Sequence, residues 1–410
     1  MPSPTAMSKW SSALTARRLC VHGLLLGACL WSIYAFDVAT PGLLDRNGLV
    51  KGTDFVHFYV LGTLAREHRG AALYDVLQQA VIAQEMVPGA RDLYFVALYG
   101  PQVSLLFAPL ARLPYGWALV AWSLFNALVY GLCCYAIWKS CSGLREHGAL
   151  VAVLAIAYPA FFHLIAWGQT SAPALAIFTL VYLALRSHRQ FIAGLAVGLL
   201  VYKPQLGILP VLLFLFSRQW SAVGGALISA SAELSMGWMY YGSDVMRDYA
   251  GALRHLRKVL PYLEPRPYTA HSLREFWAML IPVPSLATVL YFASAMVVLA
   301  ITLRTWRSGA PLTLRYSALL VASVLVAPHL AIYDLVILAP AFLLLSNWCM
   351  ETDLADSSLP LVLYLCYALP LIGPLSRYTH VQLSVAAFVG LAFFLWRVTS
   401  RESLSTQIPA

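Results

Sequence analysis

Charge is what this sequence has least of. Only 11% of its 410 residues are Asp, Glu, Lys or Arg, where a soluble domain carries about a quarter. Hydrophobic residues make up 60%, and the mean hydropathy is +0.72. An ordinary soluble enzyme is thereby excluded. Strict apolar–polar alternation is also lacking, which excludes a membrane β-barrel. The formal charge of +9 sits largely in short connections and termini. There it sets topology and does not point to nucleic acid. The seven cysteines (Cys20, Cys29, Cys133, Cys134, Cys141, Cys349 and Cys366) lie in apolar segments or one short basic loop. No disulfide framework follows. The sequence has no paired carboxylates or His-x-x-x-His for a metal, no Gly-rich phosphate loop, and no nucleophilic Ser or Cys motif. Internal repeats and low-complexity tracts are missing too.

What the chain has is apolar runs of the length that spans about 30 Å of hydrocarbon. They predict an all-α polytopic membrane protein with helices near 19–36, 115–138, 148–167, 170–186, 189–203, 204–217, 220–241, 285–304, 311–327, 329–348, 358–373 and 380–397. The first run ends in Tyr34-Ala35-Phe36-Asp37 without a small-residue cleavage site, so it reads as a retained helix rather than a signal peptide. Segment 97–112 is short and holds Pro101 and Pro109, so it reads as re-entrant. Basic residues at 139–145, 186–189, 218 and 304–307 then share the cytoplasm with Arg17 and Arg18. Residues 1–18 form a cytoplasmic N-terminus, 19–398 one transmembrane domain, and 399–410 a cytoplasmic tail. Two long loops, 37–97 and 242–284, fall outside. The first should contain two short amphipathic helices, near 55–69 and 74–86. The second should contain a helix lying in the interface, with Val245, Tyr249, Ala252, Leu253, Leu256 and Leu260 on one side. Pro261, Pro265 and Pro267 end it.

Ionisable groups at membrane depth are costly and commonly functional. Several reach the same outer level in this topology. Asp54 opens the first loop, ahead of a helix carrying His57, Phe58 and Tyr59. Gln169 follows Gly168, with His163 below it. Lys203 and Gln205 flank Pro204; His329 follows Pro328 and precedes Tyr333 and Asp334; Arg377 and His380 close the set. Each has a plainer explanation. Asp54 could cap its helix. Lys203 could snorkel. His163 could be a hydrogen-bonded interior residue. His329 and Tyr333 share a face at i and i+4 and could simply pack. Asp334 could be a structural partner, Glu233 a buried polar tie, and Arg377 an anchor. Only the clustering favours a site. A carboxylate can take a proton from an attacking hydroxyl, and cations can stabilise a phosphate leaving group. With an apolar bundle to hold a lipid tail, this describes sugar transfer from a polyprenyl phosphate.

At these residues the chain resembles glycosyltransferase family 87. Thr53-Asp54-Phe55 with Phe58-Tyr59, Gly62 and Leu73-Tyr74-Asp75 carries the resemblance. So do Tyr99-Gly100-Pro101, Ala108-Pro109-Leu110, Leu113-Pro114, Gly168-Gln169, Lys203-Pro204-Gln205 and Pro328-His329 with Tyr333-Asp334. It covers about residues 20–350 and departs at Gly100, where the pattern has proline. The resemblance implies a GT-C-type fold and an inverting transfer, usually of mannose, from a β-linked polyprenyl phosphate to a hydroxyl on the outer side of the plasma membrane. Known members make α-1,2-mannosides on lipid-linked or wall glycans. Carried over, Asp54 is the base, while Lys203, His329 and Arg377 contact the donor phosphate. His57, Tyr59, Tyr99, Gln169, Gln205, Tyr333 and Asp334 line the substrate cleft. No metal or other cofactor is expected. The partners are the donor, a lipid-linked or envelope glycan acceptor and membrane lipids. Two other classes share the cavity and basic groups: a glycolipid flippase, which needs no base, and a glycan polymerase or ligase using a pyrophosphate-linked donor.

Overall fold

A bilayer interior offers no water to backbone amides, so a long apolar chain satisfies them within helices. Helix accordingly dominates this computed structural model. Among the described residues, bridging is confined to two isolated pairs, Leu44 with Val50 and Ala270 with Ala331. The structure describes residues 14–89, 94–96, 98–255, 266–352 and 358–405, with side chains as far as residue 400.

Helix α1 (Ala16–Val38) leads to α2 (Phe55–Arg66), α3 (Val76–Met86), the short α4 (Gln102–Phe107) and the long α5 (Tyr115–Lys139). Next come α6 (Gly148–Ile156), α7 (Pro159–Trp167), α8 (Ser171–Arg186), α9 (Gln190–Gly198), α10 (Pro204–Phe216) and α11 (Trp220–Arg254). The last third contains α12 (Leu273–Leu280), α13 (Pro284–Arg307), α14 (Leu312–Val326), α15 (Ala339–Glu351), α16 (Leu359–Ala368), α17 (Ser376–Thr379) and α18 (Leu383–Ser405).

Six stretches are long and apolar enough to cross a membrane: α1, α5, α13, Ile332–Glu351, Leu359–Thr379 and Leu383–Ser400. The segment expected as one helix over 148–167 is a pair bent by 47°, and as one span it makes a seventh. The bend falls where Pro159 opens α7, because proline has no N–H to return to the preceding turn. Helices α8, α10 and α14 and the stretch Gln190–Tyr202 are apolar but shorter, at 10–17 residues. At about 1.5 Å per residue they fall short of a full hydrocarbon core. By length alone, six or seven crossings stand where about twelve were expected.

Two expectations for the loops change. Helix α2 is not amphipathic: Phe55 through Ala65 are all buried. Its sequence, Phe-Val-His-Phe-Tyr-Val-Leu-Gly-Thr-Leu-Ala, is apolar all round, and such a helix belongs inside protein. The boundary expected at residue 242 is a kink, at Gly242 with φ +81°, and α11 continues through it to Arg254. Residues Leu256, Arg257, Lys258, Leu260, Pro261 and Pro265 of the expected interfacial helix lie outside the described residues. Segment 97–112 forms only α4 and a 3-10 turn at Leu110–Arg112. It packs on α2 at Gly62, where a Cβ would come within 2.5 Å of the Phe107 carbonyl oxygen.

The basic connections gather at one end of the bundle. Gly143 N–H donates to Asn347 Oδ1 at 2.8 Å, next to the end of α15. Trp306 Nε1 donates to Gln219 Oε1 at 3.3 Å, and Tyr182 sits among Ser140, Arg186 and Thr313. Helix α8 runs from that end, at Arg186, to the opposite end at Ser171.

The closest helix packing joins α9 to α11. A Cβ on Gly194 would lie 2.0 Å from the Ala222 carbonyl oxygen, and one on Gly198 2.2 Å from that of Ala226. Small residues at this spacing let helix backbones touch. Replacing Gly194 with Leu should cost about 1–3 kcal/mol or more, since the obstructing atoms are backbone. Thermal unfolding of the detergent-solubilised protein checks this. Gly224→Leu, where nothing lies within 4 Å, should leave the midpoint unchanged.

Candidate active site

The site is built where helices break. Asp54 stands just before α2 with helical backbone (φ −89°, ψ −19°), and its side chain caps nothing. The capping explanation for this carboxylate therefore fails. Its backbone N–H donates to the Trp167 carbonyl at 3.0 Å. The next residue, Gly168, has φ +67°, and a Cβ there would strike Phe55 Cβ at 2.6 Å. That turn brings Gln169 Nε2 to Asp54 Oδ2 at 2.6 Å. Helix α5 fixes the turn from behind. Trp122 Nε1 donates to the Gly168 carbonyl at 3.0 Å and Asn126 Nδ2 to that of Gln169 at 3.1 Å.

Asp54 keeps part of its surface open. Even so, burial pushes its carboxyl above the usual range. The Gln169 hydrogen bond opposes this, as do the charges of Lys203, His329 and Arg266. Asp54 thus shares one electrostatic neighbourhood with two of the expected cations.

Lys203 is buried at 2% exposure and forms an ion pair with Asp334, itself 1% exposed. Ser171 Oγ donates to Asp334 Oδ1 at 2.6 Å and accepts from Lys203 Nζ at 3.0 Å. Asp334 Oδ2 also accepts from Ala331 N–H at 3.2 Å, at the start of the 3-10 turn Ile332–Leu338. The Lys203 ammonium lies 5.2 Å from the centre of the Tyr333 ring, which in turn meets Trp167 edge-on at 5.6 Å. Lys203 therefore does not snorkel; it is an interior cation with a built counter-ion.

The other expected residues divide. Tyr99 lies within reach of the charges of Lys203, Asp334 and Asp54. His57 stacks on Phe95 at 5.1 Å, and both its ring nitrogens are buried without a hydrogen-bond partner, the Gln79 side chain lying beside it out of bonding geometry. Burial, against a smaller opposing effect of Gln79, pushes its imidazole down to about 4, so it is neutral at pH 7. Tyr59 turns away and donates to the Leu113 carbonyl at 2.7 Å. Gln205 is half-buried on the first turn of α10. Arg377 is exposed on α17 and is not among the charges acting on Asp54. His163 bonds locally, its Nδ1–H donating to the Pro159 carbonyl oxygen at 2.8 Å.

Two contributors went unnoticed in the sequence. Arg266 approaches because residues 266–275 dock on 328–334. His271 N–H donates to the Leu330 carbonyl at 3.0 Å, and Arg274 Nη1 donates to that of Pro328, also at 3.0 Å. The Arg-rich, proline-punctuated loop was the available signal. Asn126 was the other: a wholly buried amide in an apolar helix is a position that needs a partner. Among the described residues no three His, Cys, Asp or Glu side chains come together as metal ligands.

The profile of glycosyltransferase family 87 matches residues 97–328, more than half of the chain. The chain belongs to glycosyltransferase family 87. No curated protein and no solved structure matches it. As a family 87 member it is a glycosyltransferase, and its apolar helices make it a multi-pass membrane protein. The match takes in Tyr99, Gln169 and Lys203. Asp54 lies before it and His329, Tyr333 and Asp334 just after, so geometry alone joins them to the family 87 segment.

Removing one partner of a buried ion pair leaves an uncompensated charge, at a cost of about 3–5 kcal/mol. Lys203→Met and Asp334→Leu should each lower stability by that order. The double variant should recover much of the loss, as read by thermal unfolding.

Proposed function

We propose that this family 87 enzyme moves mannose from a polyprenyl phosphate donor to a hydroxyl of a lipid-linked or envelope glycan, in one inverting displacement. The observation that carries the reading is Asp54. Its carboxylate is partly open, relieved of capping, and held by Gln169 beside cationic groups. A single base fits a single displacement. The acceptor hydroxyl gives its proton to Asp54 as its oxygen bonds to the anomeric carbon, and the polyprenyl phosphate leaves with the electrons of the broken C–O bond. His329 and Arg266 face the developing phosphate charge. Lys203, half-neutralised by Asp334, contributes field more than contact.

The topology is part of the proposal. Basic connections at one bundle end belong in the cytoplasm by the positive-inside rule. The Asp54 end then faces the extracytoplasmic side of the plasma membrane, with about twelve crossings once the shorter helices count and with 97–112 re-entrant.

Asp54→Asn should reduce transfer from mannosyl polyprenyl phosphate by about 10²–10⁴-fold in a folded protein that still binds donor. Undiminished turnover would overturn the base assignment. The pH dependence has a definite sign. The working form of Asp54 is ionised, and burial raises its pKa. Activity is therefore present above that pKa and lost as pH falls through it, at a pH higher than for an ordinary carboxylate. Gln169→Leu removes a bond that lowers the pKa, so the acid limb of kcat/KM should move to higher pH. A downward shift or none would separate Gln169 from the base.

A further inference from the structure

The chemistry above leaves Glu233 unused. Ala222, Ala226, Ser229 and Gly237 form the buried stripe of α11. Glu233 lies on that stripe, four residues from both Ser229 and Gly237, yet is only half-buried. The helix packing opens at its carboxylate. Gln102, at the start of α4, faces it and is 5% exposed. Gln102 Nε2 donates to Glu233 Oε1 across a long 3.4 Å, and Gln102 Oε1 has no partner. A buried amide with an unmade bond is costly, and a polar tie that leaves one is incomplete.

The surroundings are shaped to keep it so. A Cβ on Gly237 would lie 3.0 Å from the Gln102 backbone nitrogen, so glycine lets α11 close on this turn. A Cβ on Gly100 would lie 2.3 Å from Gln102 Oε1, so glycine lets that amide fold back. Tyrosines surround the pair. Tyr202 and Tyr249 feel the charge of Glu233. Tyr74 packs 5.9 Å from Tyr249 and donates to the Tyr99 carbonyl at 3.0 Å. A small cavity walled by Tyr74, Tyr99, Gly100 and Pro101 adjoins the same turn. Through Tyr99 the cluster is one residue from the charges of Asp54 and Lys203.

A carboxylate and an amide short of partners, among tyrosine rings, suit the hydroxyls and C–H face of a sugar. A carboxyl and an amide offer phosphate no cation, and a lipid tail would leave both polar groups dry. We propose that Gln102 and Glu233 form a hydroxyl-binding subsite for the acceptor sugar, apart from the Asp54 centre, and that Gly100 gives Gln102 its place in it. This rests on the glycosyl-transfer reading.

Two measurements on the full-length, detergent-solubilised protein keep the two claims separate. Release of mannose from mannosyl polyprenyl phosphate without acceptor tests the donor reading. Saturation-transfer NMR with methyl α-mannoside and methyl α-glucoside tests the subsite. We expect the wild type to bind at least one glycoside. In Glu233→Gln, Gln102→Ala and Gly100→Ala, sugar affinity should fall and acceptor KM rise by about tenfold or more. Donor KM and donor-only release should stay within about twofold. Two results would overturn the subsite: no glycoside binding by the wild type, or unchanged sugar affinity in Glu233→Gln and Gly100→Ala at an unchanged unfolding temperature. A donor KM that rises as much as the acceptor KM would also overturn it. Should Gln102→Ala fail to fold, the near-isosteric Glu233→Gln carries the test. Glycoside binding without any donor turnover would sink the donor reading and leave the subsite standing.

Discussion

The 2.6 Å hydrogen bond from Gln169 to Asp54 ties the chemistry of the site to the packing of the bundle. A carboxylate taken out of water costs free energy unless something favours its charged form. Gln169 does so directly, and three cations do so at a distance. The turn that delivers Gln169 has a left-handed residue at 168, and a Cβ there would strike Phe55, so glycine suits both demands. Trp122 and Asn126 make the turn rigid by holding its two carbonyls. The surroundings of the proposed base therefore depend on α5, through the turn it holds.

The second polar group follows the opposite logic. Lys203, Ser171 and Asp334 satisfy one another almost completely. Such a network specifies how α8, α10 and the 332–338 turn meet, and it leaves a muted positive field pointing at Asp54. One carboxylate is paired for structure and the other kept partly open. This division gives two aspartates in one site different work, and environment rather than residue type makes the difference.

Much of this was readable from the chain. The apolar runs located nearly every helix, and of the polar residues that opened or closed them Asp54, Gln169, Lys203, His329 and Asp334 proved to be neighbours. What failed did so for identifiable reasons. Helix α2 was read as amphipathic because the loop context suggested an interface, although its own composition is apolar on every side. Arg377 was grouped by depth alone, and depth does not say which way a short helix turns its side chain. The Arg-rich loop pointed at Arg266 only in general, because its approach depends on residues 266–275 pairing with a stretch near Ala331, a contact with no local signature. Asp334 stood open in the sequence between a structural partner and a cleft residue, and Lys203 between snorkelling and a phosphate contact; their pairing with each other was not among those readings. Sequence cannot choose between a counter-ion and a ligand when both sit at the same level.

Site residues coincide with helix breaks throughout. Asp54 precedes α2, Gln169 separates α7 from α8, Lys203 precedes α10, and His329 follows α14. In a dry bundle every break exposes amides and carbonyls that need partners, and irregular backbone survives only where protein or a cavity supplies them. Here the partners are Trp167 for the Asp54 N–H, Leu200 for the Lys203 N–H and Asp334 for the Ala331 N–H. The first of these bonds joins two breaks, while the other two close within their own turns. The same argument applies to Gln102, which opens α4 beside the others and whose amide remains half unpaired. A break that its neighbours do not complete is where a substrate group can complete it.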